Sequence, residues 1–386
     1  MTLNKTDTVT TRRKEIEKQL HVALSHIGSF SLDEKVASTR HCENMIGATQ
    51  VPVGVAGPLR LRSVQALKNK DYFIPLATTE GALVASVNRG CKVITESGGA
   101  IVDSCHVGST RGPVFYTKNL EENDRLNMFL ETHLKEMQHI ARSTSSHIFL
   151  TKTFSQGVGQ YHYVRFIYDT KDAMGLNMVT IATDKITKFI EEKTDIACIS
   201  LSGNYCVDKK PSWLNFIEGR GSKVWAEVVI PERVLKKILK TTAKGVYDVW
   251  LSKCMMGSIM SGAMGYNAQF ANVLAAMFLA TGQDIAHIAE CGIGVTNAEI
   301  RGKSLYISVY LPDLMVGTIG GGTELATQKE ALQILDVYGG EDGKNRKLLI
   351  EIIGAAVLAG EISLLASLSE GTLAKAHQKL ARGKTS

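Results

Sequence analysis

Proline is scarce in this chain, 7 residues in 386, and aromatic side chains make up only 6% of it. With 44% hydrophobic and 21% charged residues the composition is that of an ordinary globular protein, and neither a Pro-rich linker nor a disordered tract stands out. The cysteines at 42, 91, 105, 198, 206, 254 and 291 are odd in number and include no Cys-x-x-Cys pair. That argues against a disulfide framework or a structural zinc and for reduced thiols in a cytoplasmic protein. No histidine pair at helical spacing suggests another metal. The net charge is +6, but the basic residues are scattered and not interleaved with aromatics, so no nucleic-acid partner is expected. The first residues carry no secretory signal, and no uninterrupted apolar run reaches membrane-spanning length, the richest being Ala271 to Thr281. Also missing are the Gly-x-Gly-x-x-Gly fingerprint, a P-loop and a serine nucleophile elbow.

What is present in quantity is glycine, 35 residues, which promises many close backbone approaches. Residues 12–27 place Ile16, Leu20, Ala23 and Ile27 at three-and-four spacing, an amphipathic helix docked by one face. Thr78 or Thr79 can cap a helix running from Glu80 through Asn88. Glu80 then reads as a carboxylate complementing the helix dipole or as an acid with work to do. Ile148–Phe154 and Tyr161–Tyr168 read as a hairpin between helical patterns over 120–140 and 177–194, so that 114–200 forms an α+β insert with an antiparallel sheet. After its second strand, Asp172-Ala-Met-Gly-Leu-Asn-Met178 lets backbone approach a ligand at a helix N-terminus.

A short buried strand over 196–201 leads into Leu201–Lys210, which carries Asp208, Lys209 and Lys210 ahead of Pro211. A lysine beside an aspartate at a strand end suits a developing oxyanion, and a solvated turn is the other reading. A helix is expected from Pro231 to about Trp250. Residues 254–282 are apolar on nearly every face, a central buried helix stopped by Gly282. It delivers Asp284 as a turn acid or a functional carboxylate. Strands near 293–296 and 305–311 follow, then Gly317–Thr323, whose glycines wrap a phosphate or make a turn before a helix over 325–335. Residues 348–369 form another mostly apolar helix, and His377 sits in the polar tail beyond it.

Several of these segments fall in a familiar order: Glu-Asn-Met-Ile-Gly at 43–47, Pro-Val-Gly-Val-Ala-Gly-Pro-Leu at 52–59, Ala-Thr-Thr-Glu-Gly at 77–81 and Asp-Ala-Met-Gly-Leu-Asn-Met at 172–178. Ser-Gly-Asn-Tyr-Cys-Val-Asp-Lys-Lys-Pro at 202–211, Gly-Gln-Asp at 282–284, Gly-Thr-Ile-Gly-Gly-Gly-Thr at 317–323 and Leu-Ala-Lys-Ala-His at 373–377 continue it. Together, over roughly residues 40–380, they resemble the 3-hydroxy-3-methylglutaryl-CoA (HMG-CoA) reductases, in the form of the biosynthetic class of eukaryotes and archaea.

The resemblance implies an α+β fold. Residues 1–40 would be an N-terminal helical segment, and 41–113 with 201–365 a large mixed α/β domain for substrate binding and dimerisation. Residues 114–200 would be an inserted small ferredoxin-like NAD(P)-binding domain, and 366–386 a mobile flap. The implied reaction is the four-electron reduction of (S)-HMG-CoA to mevalonate and CoA with two NADPH, through a hemithioacetal and mevaldehyde. Lys209 would stabilise the oxyanion, Glu80 donate its proton from a buried position, Asp284 bridge Glu80 and Lys209, and His377 protonate the departing CoA thiolate. Ser86, Asn88, Arg89, Arg111, Ser202, Asp208, Lys210, Lys253 and Asn272 would contact substrate. Asp172, Met174, Gly175, Asn177, Gly320, Gly321, Gly322 and Thr323 would hold the dinucleotide. Sites between the subunits of a homodimer or homotetramer are implied, with Glu43–Gly47 at the interface, and neither a metal nor a membrane is.

Three departures qualify this. Gln269 stands where many members have histidine, and the segment is one residue shorter before Tyr266. Ser143–Ser146 lack the arginine that grips the 2′-phosphate in animal members, which leaves NADH open beside NADPH and makes Arg142 or Lys152 candidate substitutes. The animal regulatory serine after His377 and the eukaryotic membrane anchor are missing. Two other functions stay open: the same reaction run oxidatively with NAD in mevalonate breakdown, and a catalytically inactive CoA-thioester-binding regulator. Glu80, Lys209, Asp284 and His377 together speak against the regulator.

Overall fold

A computed structural model describes residues 8–64 and 70–371, so the expected tail acid His377 lies outside the described residues. The fold is built around the helix Lys344–Ser369, here the central helix, whose side chains are buried on almost every face. By length and composition this helix could cross a membrane, contrary to the expectation that no segment would, but 89% of its most apolar window is buried within the fold. It is a core helix. Each fully buried leucine or isoleucine on it contributes about 1.5–3 kcal/mol.

One face of the central helix packs on a sheet of six strands: β1 (Val53–Ser63), β2 (Lys70–Ala77), β3 (Ala100–Arg111), β8 (Arg220–Ile230), β9 (Val295–Arg301) and β10 (Ser304–Leu314). Their order is β2-β1-β3-β8-β10-β9, antiparallel except for β1 with β3. The period of two is clear on β10, where Leu305, Ile307, Val309 and Leu311 are buried while Tyr306, Ser308 and Tyr310 are less so. Against other parts of the central helix lie the helices Leu83–Glu96, Ala243–Trp250 and Phe270–Thr281.

β3 changes partner along its length. Ile101 to Gly108 pair with β8, and Ser109 to Arg111 pair with β6 (Tyr161–Asp169). From there β4 (Val114–Tyr116), β5 (Phe149–Val158) and β7 (Cys198–Ser200) complete a second antiparallel group in the order β7-β4-β6-β5. With the helices Leu120–Thr132, Leu134–Thr144 and Leu176–Thr194 between them, this is the strand order of a split β-α-β unit. A second cluster of buried apolar residues, from Phe115 to Ile196, belongs to it alone.

Several expected elements differ in detail. The first helix runs over Val9–Leu20, not 12–27. Thr8 caps it and Arg12 Nε donates to Met45 O (2.9 Å), so Val9 and Arg12 are buried and Leu20 is exposed. The stretch 254–282 is not one helix, because the chain turns left-handed at Gly262 and resumes a helix only at Phe270. The 231–250 helix breaks in the same way at Lys240. The strand after Ile196 is an exposed edge, not a buried strand. The helix expected from Glu80 starts at Leu83, preceded by Ala82 at φ 76°, with no side-chain cap.

Gly90 lets the helix Leu83–Glu96 touch the central helix, since a Cβ there would lie 1.9 Å from Ala359 O. Gly90→Ala should force the helices apart and cost about 1–3 kcal/mol. A lowered urea midpoint at unchanged slope is the expected result, and an unaltered midpoint would deny the close approach.

Candidate active site

The end of β3 fastens the segment 201–210. Gly203 N donates to Gly112 O (2.6 Å), Thr110 Oγ1 to Cys206 O (2.9 Å) and Asn215 Nδ2 to Val207 O (3.2 Å). So tethered, the segment adopts left-handed backbone at Asn204, Val207 and Lys209, with φ of 62°, 51° and 57°. Such angles are outliers for a β-branched residue and cost about 1–3 kcal/mol each, so they persist only where surroundings impose them. Their result is local and specific: Lys209 Nζ lies 2.6 Å from Asp284 Oδ2.

Asp284 arrives from the other direction. The helix Phe270–Thr281 stops at Gly282 (φ 70°), where a Cβ would strike Gly322 O at 2.3 Å. Gln283 then locks onto the next segment, its Nε2 donating to Gly317 O and its Oε1 accepting from Gly317 N, both at 2.9 Å. Asp284 Oδ1 accepts from Ala286 N (3.0 Å). Burial pushes the Asp284 carboxyl up, but Lys209, the Ala286 amide and, when it carries a second proton, the His287 ring outweigh it and hold the group below its ordinary value.

Behind this half-exposed pair lies a largely buried set of polar groups. Arg220 Nη1 donates to Glu290 Oε1 (2.6 Å), Nη2 to Asp208 Oδ1 (2.9 Å) and Nε to Thr110 Oγ1 (2.8 Å). Glu290 also accepts from Lys209 N (3.2 Å) and Asn215 Nδ2 (3.2 Å) and is hydrogen-bonded to His287 Nδ1. Burial alone would raise Glu290, yet His287 and Arg220 hold it low, while burial and then the Glu290 charge push the neighbouring Asp313 well above its ordinary value. Asp208, His287 and Glu290 bring donor atoms within 4.8 Å of one another, as metal ligands would, but the Arg220 guanidinium already bridges both carboxylates.

Beside Asp284 opens a cavity of about 850 Å³. Every residue expected to hold a dinucleotide lines it: Asp172, Met174, Gly175, Asn177, Gly320, Gly321, Gly322 and Thr323. The two walls are joined by a parallel bridge between Ala173 and Ile319 and by Thr318 N donating to Asp172 O (2.8 Å). The Asp172 carboxylate is itself engaged, accepting from Glu341 N, Gly343 N and Arg346 N at the start of the central helix. Arg142 and Lys152 are not among the lining residues. Arg142 sits over the Phe149 ring, and the basic residues that do line the cavity are Lys171 and His147.

The remaining expected residues divide. Arg111 ends β3 beside the 201–210 segment, its Nε buried without a hydrogen-bond partner among the described residues, and Lys210 Nζ donates to Asp208 O (3.2 Å). Ser202 is exposed, and its backbone N bonds Ser200 Oγ (3.2 Å). Glu80 is exposed, not buried. Its backbone N bonds Thr78 Oγ1 (2.9 Å), and its carboxylate makes no hydrogen bond or ion pair with another described residue, so the expected Asp284 bridge to it is not formed in the isolated chain. Ser86 and Arg89 meet Ser363 near the end of the central helix, Asn88 Oδ1 accepts from Gly57 N (2.9 Å), and Asn272 Nδ2 reaches Gln269 Oε1 at 3.5 Å. Lys253 projects from a π-helical turn, Leu251–Gly257. Among the described residues no hydrogen bond or ion pair joins this second group to Lys209 or Asp284.

Arg220, His287, Glu290, Asn215 and Asp313 were not anticipated from the sequence. The available signal was a charged residue at an inward position of an apolar strand, as at Arg220 in Gly-Arg-Gly-Ser-Lys-Val-Trp and Asp313 in Tyr-Leu-Pro-Asp-Leu-Met.

Arg220→Met should leave Glu290 and Asp208 without their cation and cost about 3–5 kcal/mol of unfolding free energy; denaturation at native conditions checks it, and a loss under about 1 kcal/mol would contradict the network. Asp284 behaves differently. Its carboxyl is held low when folded, so its stabilisation exists at neutral pH and vanishes as acid protonates it. Wild type should exceed Asp284→Asn near pH 7 by under about 1 kcal/mol, since the pair is half exposed. That margin should close as pH falls below the ordinary 3.8.

The family described as hydroxymethylglutaryl-coenzyme A reductase matches residues 8–382. The chain is 48% identical over 377 residues to 3-hydroxy-3-methylglutaryl-coenzyme A reductase of Methanocaldococcus jannaschii, covering 96% of this chain and 92% of that one. It is 47% identical over 384 residues to the enzyme of the same name from Aeropyrum pernix, covering 98% and 91%. Among solved structures, the class II reductase of Streptococcus pneumoniae bound to NADPH in open conformations shares the fold at TM-score 0.67 and 16% identity, over 94% of this chain and 97% of that one. With a family match across nearly its whole length, and relatives near half identical, this chain belongs to the hydroxymethylglutaryl-coenzyme A reductase family.

Proposed function

We propose that the chain reduces (S)-HMG-CoA to mevalonate and CoA with NADPH, at the place where the Lys209–Asp284 pair meets the mouth of the 850 Å³ cavity. That juxtaposition carries the reading: a fixed cation stands beside a wall suited to a dinucleotide. Gly320 and Gly321 present bare backbone, with none of the described residues within 4 Å of a Cβ position. The helix Leu176–Thr194 begins at Gly175 without a side-chain cap, so its first N–H groups can receive a phosphate, with the Lys171 ammonium on the same cavity wall. The bound nicotinamide supplies hydride.

The chain's own groups do the rest. Lys209, fixed by Asp284 and by its backbone bond to Glu290, would face the thioester oxygen and then the hemithioacetal and aldehyde oxygens. Glu80 would donate the proton once substrate or a neighbouring subunit covers it, because burial raises a carboxyl's proton affinity. His377 would protonate the leaving thiolate. Residues 114–200, with their own apolar cluster, would act as the cofactor domain of a protein kept in the cytoplasm. That no hydrogen bond or ion pair among the described residues joins Ser86, Arg89, Lys253 or Asn272 to Lys209 supports a site completed by a second copy, in a homodimer or homotetramer.

The absorbance of reduced nicotinamide, followed with HMG-CoA and each cofactor, tests this. NADPH oxidation is expected, and absence of oxidation of either cofactor would overturn it. Lys209→Ala should lower kcat by about 10²–10³-fold, the scale of losing an oxyanion donor, while leaving the unfolding free energy within about 1 kcal/mol.

A further inference from the structure

His287 is fully buried, and its two ring nitrogens face different partners. Nδ1 is hydrogen-bonded to Glu290, itself paired with Arg220. Among the described residues Nε2 has no hydrogen-bond partner, and it lies 3.9 Å from Asp284 Oδ2, the oxygen that also receives Lys209 Nζ at 2.6 Å. A carboxylate on Nδ1 fixes the proton of a neutral ring there, which leaves Nε2 as a lone pair. A lone pair and a carboxylate oxygen, both acceptors, cannot bond to each other. That accounts for a separation longer than a hydrogen bond between two groups that otherwise point at each other.

We propose that His287 is a positioning residue for the reduction, forming with Asp284 a site for one proton behind Lys209. This rests on the reductase reading of that pair. When one proton enters, on the imidazole or on the carboxyl, Nε2 and Oδ2 become donor and acceptor and can close to hydrogen-bond distance. Asp284 Oδ2 then leans inward, and its hold on Lys209 weakens. When the proton leaves, Oδ2 returns to Lys209. The orientation of the lysine toward a reacting oxygen is thus coupled to the protonation of a buried ring that never touches substrate.

Charged groups surround the ring and Asp284 from several elements. Lys209 and Asp208 face the ring and Asp284 from the 201–210 segment, with Asp208 Oδ1 at 4.0 Å from Nδ1. Arg220 faces them from β8, and Glu290 from the turn that follows Asp284. Asp313, on β10, reaches the cluster through Asn215 and Glu290.

His287→Gln keeps a polar group of similar reach that does not titrate. With HMG-CoA and NADPH, the variant should hold KM within about twofold and lower kcat about tenfold, and the acid limb of its kcat profile should move by about one pH unit, tenfold in proton affinity being one unit. An unmoved acid limb would overturn the proposal, including where kcat falls together with thermal stability, since a merely structural histidine behaves so. A second measurement needs no turnover. The His287 imidazole resonance, identified by its loss in His287→Gln, should shift its titration midpoint when Asp284→Asn removes the neighbouring charge. An unshifted midpoint would overturn the one-proton site. A shifted midpoint in a protein that oxidises neither cofactor would instead overturn the reductase reading and with it the positioning role.

Discussion

The contact on which the rest depends is that of Arg220 with Glu290 and Asp208. A guanidinium with no exposure to solvent is costly to bury, and the neighbouring Glu290, Asp313 and Asp208 more than offset that cost, holding its proton more tightly than usual. From this one group two consequences follow. Asp208 is pinned at its side chain, which helps impose left-handed backbone on Val207 and Lys209, its neighbours on either side. Glu290 is pinned at the same time, and through its bonds to Lys209 N and His287 it fixes the lysine's backbone and the ring behind Asp284. The interior sets the exterior.

The cavity depends on a different device, the stitching of three chain segments by backbone. Gln283 reads Gly317 on both edges, Ala173 bridges Ile319, and Gly282 meets Gly322 with no room for a side chain. Asp172 belongs to this stitching more than to any ligand surface, since its carboxylate accepts three backbone N–H groups at the start of the central helix. The same aspartate therefore links the cavity wall to the core helix around which the molecule is built. A segment whose sequence points to ligand contact can serve its site by holding the wall in place.

Much of this was legible in the sequence where a local signal carried it. The hairpin of β5 and β6 was readable because β-branched and aromatic residues alternate on both sides of a glycine turn. The stop at Gly282 was readable because a glycine ends an apolar helix, and the cavity lining because the family resemblance brought 172–178 and 317–323 together. The misses have a common cause, contacts between residues far apart in the chain. The break at Gly262 lies among small residues that permit a helix equally well, and only packing decides. The first helix buries Val9 and Arg12 because Arg12 finds Met45 O, a partner 33 residues away that periodicity cannot see. Glu80 sits ahead of its helix because Ala82 turns left-handed there, a conformation its residue type disfavours.

The division of labour between the buried and the exposed charges has a further consequence for how the site tolerates change. Lys209 and Asp284 keep 37% and 42% side-chain exposure, and an ion pair so open to water contributes little to folding, of order 0–1 kcal/mol. The strained backbone beneath it costs more than the pair returns. Its geometry is held by Arg220, Glu290, Asn215 and Thr110, none of which needs to meet a ligand. Removing the exposed groups should therefore disable chemistry while sparing the fold, whereas removing the buried ones removes both. His287 stands at the join of the two sets, buried like the first and facing the second, which is why a substitution there can separate a change in proton affinity from a change in stability.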